Sequence, residues 1–299
     1  MAISSTESKI DIMKSINEKE SSTPLIGTFL KNMIAGGLAG TSVDVALFPI
    51  DTVKTRLQSP DGFWKSGGFR GIYRGIGAAA TGSAPGASLF FTTYESMKPI
   101  VGEKLKKFGV EGDAPVHMIS ACFGEIAACM VRVPTEVVKS RMQTNQTGAT
   151  SLSSTIRLVV NEQGLPIFGG LYSGYGITIM REIPFALIQF PLYEWGKKQW
   201  AKSLGVEEVS PEKAATCGSI SGGIAAAFTT PLDVVKTRLM LGKDTNGKLY
   251  KNAFDVVQRV ASEEGPKTFL SGIQPRVMWI SIGGFVFFGA YEGFKSILP

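Results

Sequence analysis

The sequence predicts an all-α membrane protein. Six transmembrane helices fall in three tandem two-helix repeats with threefold pseudo-symmetry, and short amphipathic helices lie along one face. Three observations predict this. Two motifs each recur three times, in step. An apolar segment of roughly bilayer length precedes every copy. The composition is apolar and charge-poor: of 299 residues 44% are hydrophobic, 19% are charged and 35 are Gly, against about 25% charged and about 7% Gly in ordinary soluble domains.

The first motif reads Pro49-Ile-Asp51-Thr-Val-Lys54-Thr-Arg56-Leu-Gln58. It returns at Pro134 with Glu136, Lys139, Arg141 and Gln143, and at Pro231 with Asp233, Lys236, Arg238 and Met240. The second is Tyr-Glu-x-x-Lys: Tyr94, Glu95 and Lys98; Tyr193, Glu194 and Lys197; Tyr291, Glu292 and Lys295. The prolines are 85 and 97 residues apart and the tyrosines 99 and 98. Such a period is the signature of a repeat architecture. It divides the chain into a polar tail at 1–26 and repeats at 27–111, 112–208 and 209–299.

In chain order, the tail mixes Lys9, Lys14 and Lys19 with Glu7, Asp11, Glu18 and Glu20, unlike an Arg-rich transit peptide or an apolar signal. Apolar segments follow at 28–48, 76–93, 114–133, 173–192, 212–230 and 273–290, each close to the ~20 residues that span a bilayer as helix. Small residues four apart, such as Gly36 and Gly40, Gly82 and Gly86, or Gly218 and Gly222, let helix backbones approach. Amphipathic stretches near 153–161 and 253–262 read as surface helices. The first repeat is about fourteen residues shorter between its Pro and its Tyr, so its loop at 59–69 is expected to be simply cut down.

In each Pro motif an acid and a base stand three residues apart on one helix face. Alone, each would be a solvated pair worth a few tenths of a kcal/mol. Threefold recurrence at the ends of apolar spans points instead to pairing between repeats: Asp51 with Lys139, Glu136 with Lys236, Asp233 with Lys54. The Tyr motifs give a second ring: Glu95 with Lys197, Glu194 with Lys295, Glu292 with Lys98. Two breakable rings, one at each mouth of a chamber, suit alternating access.

What the chamber would hold must come from charged and aromatic residues inside the spans, since an intramembrane ionisable group is a functional candidate. The candidates are Asp44, Glu125, Arg181, Glu182, Phe185, Gln189, Arg276 and Trp279. Glu125 occupies the place of Gly40 and Gly222 in the other repeats, so it faces either the cavity or a neighbouring helix. Arg276 is either a ligand or a structural bridge, and Phe185 and Trp279 serve stacking or packing. Three acids against two arginines suit a zwitterion carrying extra positive charge.

The three Pro-x-[Asp/Glu]-x-x-Lys-x-Arg signatures resemble those of the mitochondrial carrier family, over about residues 28–298. The resemblance implies a multi-pass, monomeric transporter of the mitochondrial inner membrane, contacting lipid and needing no cofactor. It implies a matrix gate at the Pro motifs, braced by Gln58 and Gln143 but not by Met240. It implies a cytoplasmic gate at the Glu-Lys pairs, braced by Tyr94, Tyr193 and Tyr291. The runs Phe48–Ser59, Arg132–Lys139, Arg181–Pro191 and Gly283-Gly284 resemble family members of fungal type that exchange S-adenosylmethionine for S-adenosylhomocysteine. An exchanger of another amino-acid-like or nucleotide substrate is the alternative.

Other classes fit poorly. The net charge of +6 comes without a basic face interleaved with aromatics, so no nucleic acid is expected. Cys122, Cys129 and Cys217 form no CxxC and read as buried structural thiols, and His117 is the one histidine, so no metal is expected. The glycines lie within apolar helices, not in a strand-to-helix turn, which argues against a nucleotide-binding or methyltransferase enzyme.

Overall fold

A computed structural model describes residues 45–109, 113–144, 151–162, 170–207 and 209–283. Asp44, Tyr291, Glu292 and Lys295 lie outside the described residues. The long helices are α1 (45–58), α3 (Ile76–Lys107), α4 (Asp113–Gln143), α6 (Tyr175–Leu204), α7 (Pro211–Leu241) and α9 (273–283). Between them stand α2 (Gly62–Lys65), α5 (Leu152–Val160) and α8 (Ala253–Arg259).

The helices outrun the apolar segments. Pro134 lies inside α4 and Pro231 inside α7, so the acid, the base and the Arg of each motif all stand on continuous helix. A proline removes one backbone donor and leaves the rest of the ladder in place. At 32 residues, α3 spans about 48 Å at 1.5 Å per residue, beyond the ~30 Å of a hydrocarbon core. Its Tyr motif occupies the excess.

Contacts divide the chain into two compact units. One holds 58–180 and 235–266. In it α3 packs along α4, and the small residues do the work expected of them. A Cβ on Gly124 would lie 3.0 Å from the Phe90 carbonyl oxygen, and one on Gly82 would collide with Thr135. Cys129, Val133, Val137, Val159 and Met240 form a buried cluster. On α4, Ile119, Phe123, Ile126 and Met130 are exposed, a stripe at helical spacing that suits lipid contact. Among the described residues, α4 is long and apolar enough to cross a membrane by composition alone. Cys122, read as buried, is exposed on this face, while Cys129 and Cys217 are buried.

The same unit carries the connecting helices. Ser151 caps α5 by accepting from the Ser154 N–H while the Ser154 hydroxyl accepts from the Ser151 N–H. Asn252 caps α8, accepting from the Asp255 N–H at 2.9 Å. A turn of π-helix, Val260–Glu264, follows α8 and closes on Gly265, whose φ of +88° suits glycine. The loop of the first repeat is not merely shortened: it contains α2 and a run of tight turns.

The other unit holds 1–57, 181–234 and 267–299. Phe185, Ala225, Ala226 and Ile280 form its buried cluster, with Ile188, Val277 and Trp279 packed against it. A Cβ on Gly222 would lie 2.9 Å from Ile280 and 3.5 Å from Gln189. This close approach sets α7 against α6 and α9.

Candidate substrate site and ion-pair clusters

Asp233 is the centre of the charged site in this second unit. Its Oδ2 lies 2.6 Å from Lys54 Nζ. Its Oδ1 pairs with the Arg276 guanidinium and stands 3.8 Å from Arg181 Nε. Arg181 pairs in turn with Glu182, and Arg276 donates to the Thr229 hydroxyl at 2.9 Å. Four helices therefore present one connected cluster: α1 gives Lys54, α6 Arg181 and Glu182, α7 Thr229 and Asp233, α9 Arg276.

Asp233, Glu182, Arg181 and Arg276 are each no more than 6% exposed. Charges this buried persist only when paired. Lys54, Arg181 and Arg276 meet Asp233 and Glu182 here, with the Asp51 carboxylate also acting on Lys54, and a substrate carboxylate could compete for the two guanidiniums. Gln189 is buried beside Gly222, and its Oε1 has no hydrogen-bond partner among the described residues. Two donors or acceptors are thus placed for a polar ligand: the arginine fork and the Gln189 amide.

The sequence candidates distribute unevenly. Arg181, Glu182 and Arg276 come together. Phe185 is wholly buried among Ala225, Ala226 and Ile280, which makes it a packing residue here, and Trp279 packs half-buried against the same cluster. Glu125 belongs to the first unit. It pairs with Arg132, seven residues on along α4, and lies 3.7 Å from Cys129 Sγ. Both of these partners stand on its own helix, and the choice between cavity and neighbouring helix stays an expectation.

Of the Pro-motif pairs, Lys54–Asp233 falls within one unit, and Glu136–Lys236, at 2.6 Å, within the other. Asp51 and Lys139 belong to different units, so their pairing stays an expectation. Gln58 Oε1 accepts from the Thr237 hydroxyl at 2.6 Å, next to Lys236. Gln143 is fully buried. Met240, where a third glutamine would stand, fills the apolar cluster instead.

Of the expected Tyr-motif ring, Glu95 and Lys197 belong to different units and Glu292 and Lys295 lie outside the described residues, so the ring stays an expectation. Lys98 lies on Glu95 of its own helix at 2.9 Å, and Lys197 on Glu194 at 2.8 Å. Residues three apart on an exposed helix face reach each other without any long-range approach. The Tyr193 ring supports Lys197 at 4.3 Å. The Tyr94 ring likewise lies under Lys98 at 5.1 Å, and its hydroxyl also bonds His117 Nδ1 at 2.7 Å, a role for the one histidine that nothing in the sequence pattern signalled.

A third charge set was legible and overlooked. In repeats two and three the Arg seven residues beyond the Pro meets the acid that closes the connecting helix. Arg141 lies 2.7 Å from Glu162, which also takes Lys243 at 2.9 Å. Arg238 forms a two-pronged pair with Glu264 at 2.7 and 2.6 Å. Burial pushes the Glu162 carboxyl up, but the Arg141 charge and the bonds from Lys243 and Arg141 outweigh it and hold its pKa below the ordinary value.

A separate cavity of about 400 Å³ lies along α6 and α7, lined by Leu192, Trp195, Trp200, Cys217, Ile220 and Ile224 among others. It is apolar and holds no charged side chain, so it is not where an ionic substrate would bind. Among the described residues no group of His, Cys and carboxylates gathers as a metal site.

Comparison with known proteins matches the family described as mitochondrial carrier protein three times, at residues 27–105, 111–204 and 207–299. A Saccharomyces cerevisiae relative named as a mitochondrial carrier protein, PET8, is 51% identical over 91% of this chain and 96% of its own. The Drosophila melanogaster S-adenosylmethionine mitochondrial carrier protein homolog is 48% identical over 90% of this chain and 93% of its own. The Danio rerio mitochondrial S-adenosylmethionine carrier protein is likewise 48% identical, over 90% and 98%. With three matched repeats accounting for nearly all its length, the chain belongs to the mitochondrial carrier family, and is a transporter of the mitochondrial inner membrane and not an enzyme.

Proposed function

We propose that this carrier imports S-adenosylmethionine into the matrix in exchange for S-adenosylhomocysteine, by alternating access between two ion-pair gates. The names of its relatives favour the substrate. The observation that carries the mechanism is the buried cluster in which Asp233 takes Lys54, Arg181 and Arg276 together.

S-adenosylmethionine offers a carboxylate, an ammonium, a sulfonium and an adenine. Its carboxylate competes with Asp233 and Glu182 for the Arg181 and Arg276 guanidiniums. Glu182, so displaced, is free to face the ammonium or the sulfonium, and Asp44 is a further acid for the same purpose. Loosening Asp233 also loosens Lys54, which is a Pro-motif gate pair, so the ligand weakens the gate by occupying the site. Gln189, whose Oε1 is unpartnered among the described residues, takes a polar group of the ligand, and Trp279, half-buried against the apolar cluster, contacts the adenine or the sulfonium with its open part. Exchange of a net monocation for a neutral product moves one charge, and a matrix-negative potential favours entry by about 2.3 kcal/mol per 100 mV.

The test is uptake of labelled S-adenosylmethionine by purified protein in vesicles preloaded with S-adenosylhomocysteine, with S-adenosylmethionine, or with nothing. Uptake that depends on either internal compound and rises with an inside-negative potential supports the reading. Uptake insensitive to the preload, or competed equally by basic amino acids or adenine nucleotides, overturns it.

A further inference from the structure

The shortened loop of the first repeat carries an aromatic cluster with no counterpart in the expected mechanism. From Ser59 to Gly75 the backbone closes on itself repeatedly. The Gly62 N–H donates to Ser59 O at 3.0 Å, Gly68 to Phe63 O at 3.0 Å, Arg70 to Gly67 O at 3.0 Å and Arg74 to Gly71 O at 3.1 Å. This frame holds three rings edge to face: Phe63 with Phe69 at 4.9 Å, Phe63 with Trp64 at 5.1 Å, and Trp64 with Phe69 at 6.2 Å. Trp64 lies against Gly68, where φ is +55° and a Cβ would come within 3.1 Å of the indole. Glycine there both permits the turn and seats the ring.

The cluster is fixed, yet its large faces are open. Trp64 is 76% exposed and Phe69 64%. Lys65 and Arg70 stand exposed beside them. A soluble protein seldom holds two large rings rigidly in water without a partner. Chain position supplies the partner. The loop joins α1 to α3, two membrane spans, so it lies at the bilayer surface on the Pro-motif side. Aromatic rings flanked by basic residues are the composition of an interfacial anchor. The other two connecting segments also turn large apolar residues outward, Ile156 and Leu158 in α5 and Phe254 and Val257 in α8.

We propose that Phe63, Trp64 and Phe69 form a rigid wedge set into the headgroup–acyl boundary of an anionic bilayer, with Lys65 and Arg70 on lipid phosphates. The wedge replaces the amphipathic helix for which the short first loop has no room. In repeats two and three a helix face makes the same contact.

The test uses the full-length chain reconstituted in phosphatidylcholine–phosphatidylglycerol vesicles, with Trp64 as sole indole through W195F, W200F and W279F. Blue-shifted emission is expected, quenched several-fold more by lipid brominated near the headgroup than by aqueous iodide. Emission of a water-exposed indole, quenched by iodide as in a small peptide, overturns the proposal. Should the triple variant lose its helical circular dichroism, the difference between wild type and W64F reports the same signal. K65Q/R70Q is expected to shift emission to the red in these vesicles and to leave it unchanged in pure phosphatidylcholine. A shift of equal size in both refutes the anionic component. Protection from both quenchers that vanishes on diluting protein into excess lipid assigns the wedge to a second copy of the chain, and overturns the lipid reading.

Discussion

Reversing the Lys54–Asp233 pair separates a simple latch from the hub described above. If Asp233 served only Lys54, the double variant K54D/D233K would restore the pair and with it transport. The structure predicts failure, because residue 233 also faces Arg181 at 3.8 Å and pairs with Arg276. Unit charges about 4 Å apart interact by about 4 kcal/mol at an effective dielectric near 20. Turning the Arg181 contact from attraction to repulsion therefore swings it by about 8 kcal/mol before relaxation. The Arg276 contact reverses as well. If only about a quarter of one swing survives hydration and side-chain movement, the residual of about 2 kcal/mol still exceeds a tenfold effect. Uptake of labelled S-adenosylmethionine into proteoliposomes should fall at least about thirtyfold in K54D, D233K and the double variant alike. The matched control is E136K/K236E. There the acid lies 2.6 Å from Lys236 and 3.9 Å from Arg132, and the Arg132 and Glu136 side chains are 23% and 29% exposed, against 7% and 4% for Arg181 and Asp233, so water screens the reversed contact. That swap should recover uptake to within about fivefold of wild type, a deficit of about 1 kcal/mol. Recovery of K54D/D233K to the level of the control would refute the hub.

Three further outcomes follow from other parts of the molecule. Glu162→Gln should lower thermal stability at neutral pH. The folded-state pKa of Glu162 is depressed, so its contribution is complete above the unfolded carboxyl value of about 4.3 and is lost as pH falls towards the folded value. The gap between wild type and variant should therefore close in acid, and a gap that is constant with pH refutes the assignment. Gly124→Val should cost about 1–3 kcal/mol by forcing α4 off the Phe90 carbonyl, read as a lower melting temperature, while Gly77→Val, where a Cβ meets nothing within 4 Å, should cost far less. Tyr94→Phe should lose the bond to His117, about 1 kcal/mol, and His117→Phe should add little to it in the double variant. Additive losses would show that the two groups do not act as a pair.

The repeat, the spans and the Pro-motif partners were legible because each depends on spacing along one chain, and helical spacing is fixed by backbone geometry. Lys54 with Asp233 and Glu136 with Lys236 could be named from register alone. What was not legible depended on which way helices turn against one another. Arg276 lies 43 residues beyond Asp233, and no periodicity says that they share a carboxylate. Glu125 and Arg132 are seven apart on one helix, a separation that does place two residues on the same face; the pairing could have been read and was not. Phe185 was ambiguous for a plainer reason, since a ring at mid-helix packs or binds according to its neighbours, and Ala225, Ala226 and Ile280 come from two other helices. The first loop is shorter than its counterparts by count, but its structure depends on Phe63, Trp64 and Phe69 meeting one another, which length alone does not show.

If site and gate merge in one carboxylate, as proposed, the energetics of transport follow from it. A ligand shifts a conformational equilibrium only by its differential affinity for the two states. A carrier whose gate stood apart from its site would need a separate element to transmit that difference. On the proposed reading the transmitting element is Asp233 itself, because a substrate carboxylate on Arg276 and Arg181 would replace the group that holds Lys54. The gain from binding is offset by the loss of the native contacts. Apparent affinity should thus be modest while turnover is high, which is the useful direction for a transporter that must also release its cargo. Asp233→Asn removes the competitor. It should tighten substrate binding measured at equilibrium in detergent and slow exchange in vesicles together, two effects of opposite sign from one substitution. A variant that weakens both would place Asp233 among the direct ligands of the substrate instead.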